Sequence, residues 1–489
     1  MIVFRKQNDV YLEAIEGERD ELRMLSDYFT FEVPGARFTP AFKNKFWDGK
    51  LRLFDMRKMT IYCGLMADIT RFSKEFDIEI AVDAPRHMIP GLEQDIDDKT
   101  LDGFVKALNL HSRGQPIEMR DYQLDAFKTS VRKQRQLILS PTSSGKSLII
   151  YALARWWREV HERKILIVVP TVGLVTQLIS DFNDYSQGQF DDVYGISAGI
   201  EKDTDARIII TTWQSIYDMG AGWFAQFGSV VVDEVHHATA KSIQGIMHKL
   251  LICPDRIGMT GTLQDAKTHE LVLKGLFGSV HKTISTKQLM EKDIVAQMKV
   301  EVIHLKYNKE DSKHVKPMEY QDELSFLVNH QVRNNFISRL ASSLTGNTLV
   351  VFSRLDQGKQ LFDLIETTKE KFYVAGETDK DVREMVRQFT EKNDVIIVAS
   401  LGVFSTGINI RNLHNLIFAH PTKSKIKVLQ SIGRILRKTD DDKPATVYDI
   451  VDDLHVGTRE NFTLRHSSER MKYYINENFN YNIKSIQLP

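Results

Sequence analysis

A chain of 489 residues has room for about three domains at roughly 150 residues each. Its 42% hydrophobic and 27% charged residues can build packed cores, which excludes general disorder. The 65 basic and 65 acidic residues cancel, so a polyanion partner has to be met by a local patch and not by the whole molecule.

Cys63 and Cys253 cannot form a disulfide framework, and their lack of paired spacing argues against zinc. The start "MIVFRKQNDVYLEAIEGERD" reaches charge too early for a signal peptide, and no run approaches the ~20 apolar residues of a membrane span. A soluble, intracellular protein is expected.

Residues 1–110 mix short alternating segments with turns and carry no nucleotide motif. Within them, "RFTPAFKNKFWDGKLRLFDMRK" interleaves Arg37, Lys43, Lys45, Lys50, Arg52, Arg57 and Lys58 with Phe38, Phe42, Phe46, Trp47 and Phe54. Asp48-Gly49 reads as a hairpin turn between two apolar–basic strands. The aromatics are expected to fill a small core beneath the lysines, and the basic face to lie along a duplex backbone with salt-dependent affinity.

Repeated strand–loop–helix units begin at Arg120. "RQLILS", "KILIVVP", "ARIIITT", "GSVVVDE" and "RIGMTGT" are near-continuous apolar runs suited to parallel strands covered on both faces. A second series follows with "VEVIHLKY", "NTLVVFSR", "KFYVAG", "DVIIVAS", "NLIFAH" and "ATVYDIV". Two successive doubly wound α/β domains are the economical reading, spanning 111–287 and 288–489 and joined near Thr286 to Gln297. The stretch "RHSSERMKYYINENFNYNIKSIQLP" reads as a helix and a last strand packed on the second sheet.

In "LILSPTSSGKSLIIYAL" an apolar strand stops at a small-residue loop and a helix resumes at Gly145-Lys146-Ser147. Backbone N–H groups of such a loop and the helix N-terminus suit phosphate oxygens. Lys146 would reach the β- and γ-phosphates and Ser147 would offer its hydroxyl to Mg²⁺. Ser140 replaces the first glycine of G-x-x-x-x-G-K-[ST], but Pro141, Thr142, Ser143 and Ser144 remain small and turn-prone. Asp233-Glu234 follows an apolar strand, where open α/β sheets place ligands. Asp233 suits Mg²⁺, and Glu234 suits orienting or deprotonating an attacking water. His236 and His237 read as polar contacts and not as a metal site.

Asp233-Glu234-Val235-His236 resembles the DExH box of superfamily 2 helicases, and the remaining helicase motifs occur in order. Arg120-Asp121-Tyr122-Gln123 resembles the adenine-reading motif, which implies that Gln123 reads the base by its amide while Tyr122 or Arg120 stacks. "VVPTVGLVTQ" with Pro170, Thr171 and Gly173, and "TTWQS" with Thr211, Thr212, Trp213 and Gln214, resemble loops that touch the nucleic-acid backbone. Thr260-Gly261-Thr262 resembles the motif that couples hydrolysis to movement.

In the second series, "VFSRL" with Ser353 and Arg354, and "VASLGVFSTGINI" with Ser400, Thr406 and Gly407, resemble further backbone-contacting motifs. Gly407 there permits close backbone approach, and Asn409 stands where many relatives carry aspartate. "QSIGRILRK" supplies Gln430, Gly433, Arg434 and Arg437; the two arginines share a helix face and would neutralise charge on the departing phosphoryl group. Lys423, Lys425, Lys427 and Lys438 flank it as an added track or a solvated face.

The resemblance implies two tandem RecA-like doubly wound parallel-sheet domains plus a small N-terminal α+β domain, using ATP and Mg²⁺. Together with the "FWDGKLRL" segment, the set is similar to helicases of T4-like bacteriophages that remodel branched DNA. That implies Holliday-junction migration, fork regression, R-loop removal and strand annealing in the cytoplasm of an infected host. Branched DNA and RNA–DNA hybrids would be partners, with single-strand-binding or recombination proteins as protein candidates. Residue types alone leave open a duplex translocase that separates no strands, an ATP-gated binding switch, and RNA as substrate.

Overall fold

The computed structural model describes residues 1–489 apart from 86–87, 238–240, 264–266, 377, 379–384, 387, 391–393, 407–411, 422–423 and 437–443. Side chains of 237, 241, 267–269, 404–406, 425–427, 430 and 434 also lie outside the description. Two compact units divide the chain: Met1–Ser140 with Gly145–Thr283, and Ile284–Pro489 with the short stretch Pro141–Ser144.

The N-terminal region folds around β1 (Ile2–Lys6), β2 (Tyr11–Glu16), β3 (Thr30–Glu32), β4 (Lys50–Arg52), β5 (Phe54–Asp55), β6 (Thr60–Tyr62) and β7 (Ile80–Val82). Five of these form a mixed sheet in the order β5-β6-β2-β1-β7, while β3 and β4 make a separate ribbon. A small ribbon of β8 (His111–Ser112) and β9 (Gln115–Pro116) precedes the first parallel sheet.

That sheet holds β10 (Arg135–Leu139), β11 (Lys164–Val169), β12 (Val193–Ile196), β13 (Ile208–Thr212), β14 (Phe227–Val232), β15 (Asp255–Thr260) and β16 (Val280–Lys282). Their order is β12-β13-β11-β14-β15-β10-β16, all pairs parallel. Runs such as Phe227–Val232 are buried at every position because helices cover both faces. The helix Lys146–Val160 is itself nearly all buried between Leu148 and Ala154.

The second unit repeats the plan with β17 (Met298–Lys306), β18 (Asn347–Phe352), β19 (Lys371–Val374), β20 (Ile396–Ser400), β21 (Leu413–Phe418), β22 (Ala445–Asp453) and β23 (Asn480–Gln487). The order is β19-β20-β18-β21-β22-β17-β23. The fold is therefore two tandem RecA-like parallel sheets with a small α+β region at the N-terminus. The final strand is confirmed and pairs in parallel with β17 over eight residues. Inside this apolar sheet, Arg470 of the helix Phe462–Asn476 meets Asp449 of β22 through Nε and a terminal nitrogen, and both are fully buried.

The N-terminal region is not a bead on a linker. Ile2, Phe4, Leu12, Phe54 and Phe72 belong to the same buried cluster as Leu137, Leu166, Val168 and Phe277 of the first parallel sheet. The Tyr62 hydroxyl lies 3.0 Å from Nε2 of His248, and Arg135 donates to the Asp9 carbonyl. At Gly64 a Cβ would come within 2.1 Å of the Lys274 carbonyl oxygen. Rigid backbone cannot yield there, so Gly64→Ala should cost about 1–3 kcal/mol or more by overpacking. Chemical denaturation followed by tryptophan fluorescence checks this, since all five tryptophans lie in this unit.

The aromatic–basic segment departs from its sequence reading. Asp48-Gly49 does not close a two-residue turn; β4 pairs with β3 through Thr30↔Arg52 and Glu32↔Lys50, leaving residues 33–49 as the connection. Thr39 caps the short helix Pro40–Lys43, whose first position is proline, so the segment coils where a second strand was expected. Nor do most of its aromatics fill a core: Phe38 is 68% exposed and Phe46 85%, whereas Phe54 alone is fully buried. A connection that projects from a two-stranded ribbon has no sheet beneath it to cover these rings.

Candidate active site

Three neighbouring strands, β14, β15 and β10, bring their carboxyl ends together, which places Asp233-Glu234, Thr260 and Ser140 side by side, with Lys146 close by. The Ser140 N–H donates to the Thr260 carbonyl at 2.9 Å, and the Asp233 N–H to the Val168 carbonyl at 2.9 Å.

The altered phosphate loop has a simple geometric account. Ser140 is fully buried and is not in the left-handed region, so its backbone has no need of glycine. Gly145 is at φ +81°, and a Cβ there would meet Nε2 of Gln123 at 2.3 Å. The second glycine is therefore required and the first is dispensable. Ser143 is also left-handed, at φ 67°. Pro141 accepts from the Ser144 hydroxyl at 2.7 Å, which tightens the loop, while Thr142 is half-buried beside it.

Lys146 donates to the Ser140 carbonyl at 3.2 Å and lies 3.8 Å from a Glu234 carboxylate oxygen. The other Glu234 oxygen is 3.2 Å from Nδ1 of His236, and that nitrogen is 3.0 Å from Oγ1 of Thr260. Thr260 in turn donates to the Thr262 carbonyl at 2.9 Å, with Gly261 between them. A continuous polar chain thus links the phosphate-loop lysine to Thr260-Gly261-Thr262. His236 is a polar contact, as its sequence setting suggested. Glu234 itself is held at φ 51°, an unfavourable conformation for a non-glycine residue of the sort that clusters at functional sites.

Asp233 is enclosed, and burial followed by the adjacent Glu234 carboxylate pushes its pKa up to about 6, with Lys146 opposing. A divalent cation would reverse that penalty. The donor set of one hydroxyl and one carboxylate, all hard oxygen, fits Mg²⁺. Sequence reasoning missed Tyr185, whose hydroxyl lies 2.7 Å from Oγ of Ser147. Burial raises the Tyr185 pKa to about 12, so it stays a neutral partner that can fix the direction of the Ser147 lone pairs. It ends the helix Val172–Tyr185 that follows Thr171, and no spacing signalled it.

Around the nucleotide loop, Gln123 accepts from the Arg120 N–H at 2.8 Å and donates to the Gly145 carbonyl at 3.4 Å. Its amide therefore ties the loop to the helix Asp121–Lys133. Tyr122 is buried and Arg120 exposed, so a stacking face is available from Arg120 and not from Tyr122.

The expected backbone-contacting residues divide by exposure. Thr171 caps the helix Val172–Tyr185, with Pro170 before it and an exposed Gly173 in its first turn. Thr211 and Thr212 face inward, Thr212 bonding Ser215, whereas Gln214 is exposed and Trp213 half-buried. In the second unit, Ser353 and Ser400 end the adjacent strands β18 and β20, and Arg354 bonds Ser325 at 2.8 Å. Thr406 ends the helix Leu401–Thr406, and Gly433 is buried within Lys425–Ile435. Gly407, Asn409, Arg437, Lys423 and Lys438 fall outside the described residues, as do the side chains of Thr406, Gln430, Arg434, Lys425, Lys427 and His237.

Tandem RecA-like sheets bearing a Gly-Lys-Ser loop, a D-E-V-H strand end and a coupled T-G-T segment define an ATP-driven helicase of superfamily 2. The family models agree: "Type III restriction enzyme, res subunit" matches 116–265 and "Helicase conserved C-terminal domain" matches 332–439. "DNA helicase UvsW, N-terminal" matches 2–83. The ATP-dependent DNA helicase uvsW of Enterobacteria phage T4 is 36% identical over 97% of both chains. The chain belongs to the UvsW family of ATP-dependent DNA helicases. The crystal structure of T4 UvsW covers all of both chains at 35% identity with a TM-score of 0.54. The DNA 3'-5' translocase XPB2 of Sulfurisphaera tokodaii is 26% identical over 68% of this chain and 82% of its own.

Proposed function

We propose that this helicase remodels branched DNA, migrating Holliday junctions, regressing forks, unwinding R-loops and annealing strands in recombination, replication and repair. The observation that carries the reading is an exposed basic segment, Arg37 to Lys58, on a region sharing one core with the first parallel sheet, whose unit holds Lys146, Asp233 and Glu234. Residues 1–110 would grip duplex, and 111–287 and 288–489 would form the motor.

In hydrolysis, Lys146 leaves Glu234 for the β- and γ-phosphates, and Glu234 then orients and deprotonates the attacking water. By the resemblance of their motif, Arg434 and Arg437, with Gln430, would neutralise the departing phosphoryl group. Ser147 and Asp233 would hold Mg²⁺, which supplies charge neutralisation on the phosphates when bound. The Glu234–His236–Thr260 chain then senses which partner Glu234 has, and passes that state to Thr260-Gly261-Thr262. Pro170, Thr171, Gly173, Gln214, Ser353 and Ser400 are the proposed phosphate contacts along the strand, with single-strand-binding or recombination proteins as further partners.

The test compares four-way junctions, forks, linear duplex and RNA–DNA hybrids as substrates for ATP-dependent remodelling by the full chain. A preference for branched substrates is expected; equal action on linear duplex, or triplex displacement without fork unwinding, would favour a plain duplex translocase.

Two outcomes follow at the residue level. Reversing Lys43, Lys45 and Lys50 to glutamate should weaken branched-duplex binding at least tenfold and flatten its salt dependence, while hydrolysis without DNA stays unchanged; filter binding across a salt series measures both. Because Asp233 must lose its proton to take a cation, Mg²⁺-dependent ADP affinity should fall as pH drops through about 6. The nucleotide's own titration is subtracted by repeating the series with Asp233→Asn, which should lack that component.

A further inference from the structure

The connection between β3 and β4 is built firmly yet displays apolar rings to water. The Val33 N–H donates to the Gly49 carbonyl at 2.8 Å, closing its base. The Thr39 hydroxyl donates to the Ala36 carbonyl at 2.7 Å, and the Phe46 N–H reaches the Ala41 carbonyl at 2.9 Å. The Trp47 indole N–H is fixed on the Lys50 carbonyl at 2.8 Å. Gly49, at φ +76°, lies under the Phe42 ring, where a Cβ would come within 3.0 Å. From this scaffold Phe38, Phe42 and Phe46 emerge at every fourth residue, Phe42 being 38% exposed and the other two far more.

Leaving such area in water forgoes about 25 cal/mol per Å², so a rigid loop that keeps three phenyl rings outside implies a partner for them. The surroundings say which kind. Lys43, Lys45 and Lys50 are exposed among the rings, and the Arg37 guanidinium stands 5.0 Å from the Phe38 centroid. Within the connection Asp48 is paired with Arg52 at 2.5 Å, and that guanidinium holds its carboxyl down at about 2. Flat apolar faces interleaved with cations suit unpaired nucleobases on a phosphate backbone, through base–aromatic stacking and charge pairing. An acidic or purely apolar protein surface would match only half of this.

We propose that Phe38, Phe42 and Phe46 form a stacking platform for unpaired bases where a duplex opens, so that the N-terminal region holds the branch point and not duplex alone. This rests on the branched-DNA reading above. Such a platform would catch the first bases freed by the motor and oppose their reannealing.

The experiment uses the full chain and synthetic forks carrying 2-aminopurine at the first unpaired position, beside a blunt duplex of the same sequence. Phe38→Ala, Phe46→Ala and the double variant remove only exposed rings, and Phe46→Tyr keeps the stacking face. Wild type and Phe46→Tyr should quench the probe and prefer the fork. Each alanine variant should lose fork affinity by about tenfold, with blunt-duplex affinity and ATP hydrolysis without DNA unchanged. Unaltered fork affinity and quenching in the double variant would overturn the proposal. So would a shift from dimer to monomer in sedimentation of that variant, which would give the rings to a second copy. A wild-type chain that grips and quenches the fork yet does not remodel it would sink the branched-DNA reading while leaving the platform standing.

Discussion

Glu234→Gln is expected to leave ATP binding close to wild type and to lower DNA-stimulated hydrolysis by about 10²–10⁴-fold, the usual contribution of a positioned general base. The amide keeps the shape of the side chain and an oxygen that can face Nδ1 of His236, now 3.2 Å away. It cannot accept a proton from water, and it no longer offers a charge to Lys146 at 3.8 Å. Freed from that ion pair, Lys146 should bind phosphate at least as well as before. Equilibrium binding of a fluorescent ATP analogue and single-turnover quench measurements separate the two effects. Unchanged single-turnover hydrolysis would move the water-activating role to another residue.

Arg470→Ala should destabilise the second unit by about 3–5 kcal/mol, the cost of leaving a buried charge without its counter-ion. Asp449 would lose donors at 2.8 and 2.9 Å and keep the Tyr474 hydroxyl at 2.9 Å, while remaining inside the sheet. Because all five tryptophans lie before Thr283, their fluorescence would miss this change. Amide hydrogen exchange in β22 and β17 reads it directly. Replacing both partners, with Asp449→Leu and Arg470→Met, should recover most of the loss, because neither charge is then stranded.

The parallel strands could be read from the chain because burial on both faces writes an unbroken apolar run, as in Ile165–Val169 and Phe227–Val232. Two strands escaped. Val193–Ile196 is interrupted by Gly195, kept small because a Cβ would strike Ile179 at 2.8 Å, and Val280–Lys282 is too short to carry a period. Asp449 and Asp452 lie within an otherwise apolar strand that is legible only as a strand; their buried ion pairs, with Arg470 and with Arg333 at 2.7 Å, come from the structure and not from the sequence. Lys146, Asp233 and Glu234, neighbours in the structure, could be singled out in the chain because the chemistry expected of them fixes both residue type and spacing. Tyr185 was not, since only three-dimensional folding brings it to Ser147. The Phe38–Phe46 segment misled for a different reason: alternation of rings and cations is the same string whether the rings face a core or the solvent.

The pooled interior of the N-terminal sheet and the first parallel sheet has a mechanical result. With Phe4 and Phe54 in one oily mass with Leu137 and Phe277, and a glycine seated against the Lys274 backbone, the described residues join the front of the protein to the first parallel sheet by continuous packing. On the branched-DNA reading proposed above, DNA gripped by that front end would be carried along with the first parallel sheet. Shearing it away would strip the motor of part of its own lining, so a shortened version beginning after residue 83 should precipitate and not run as a lighter machine.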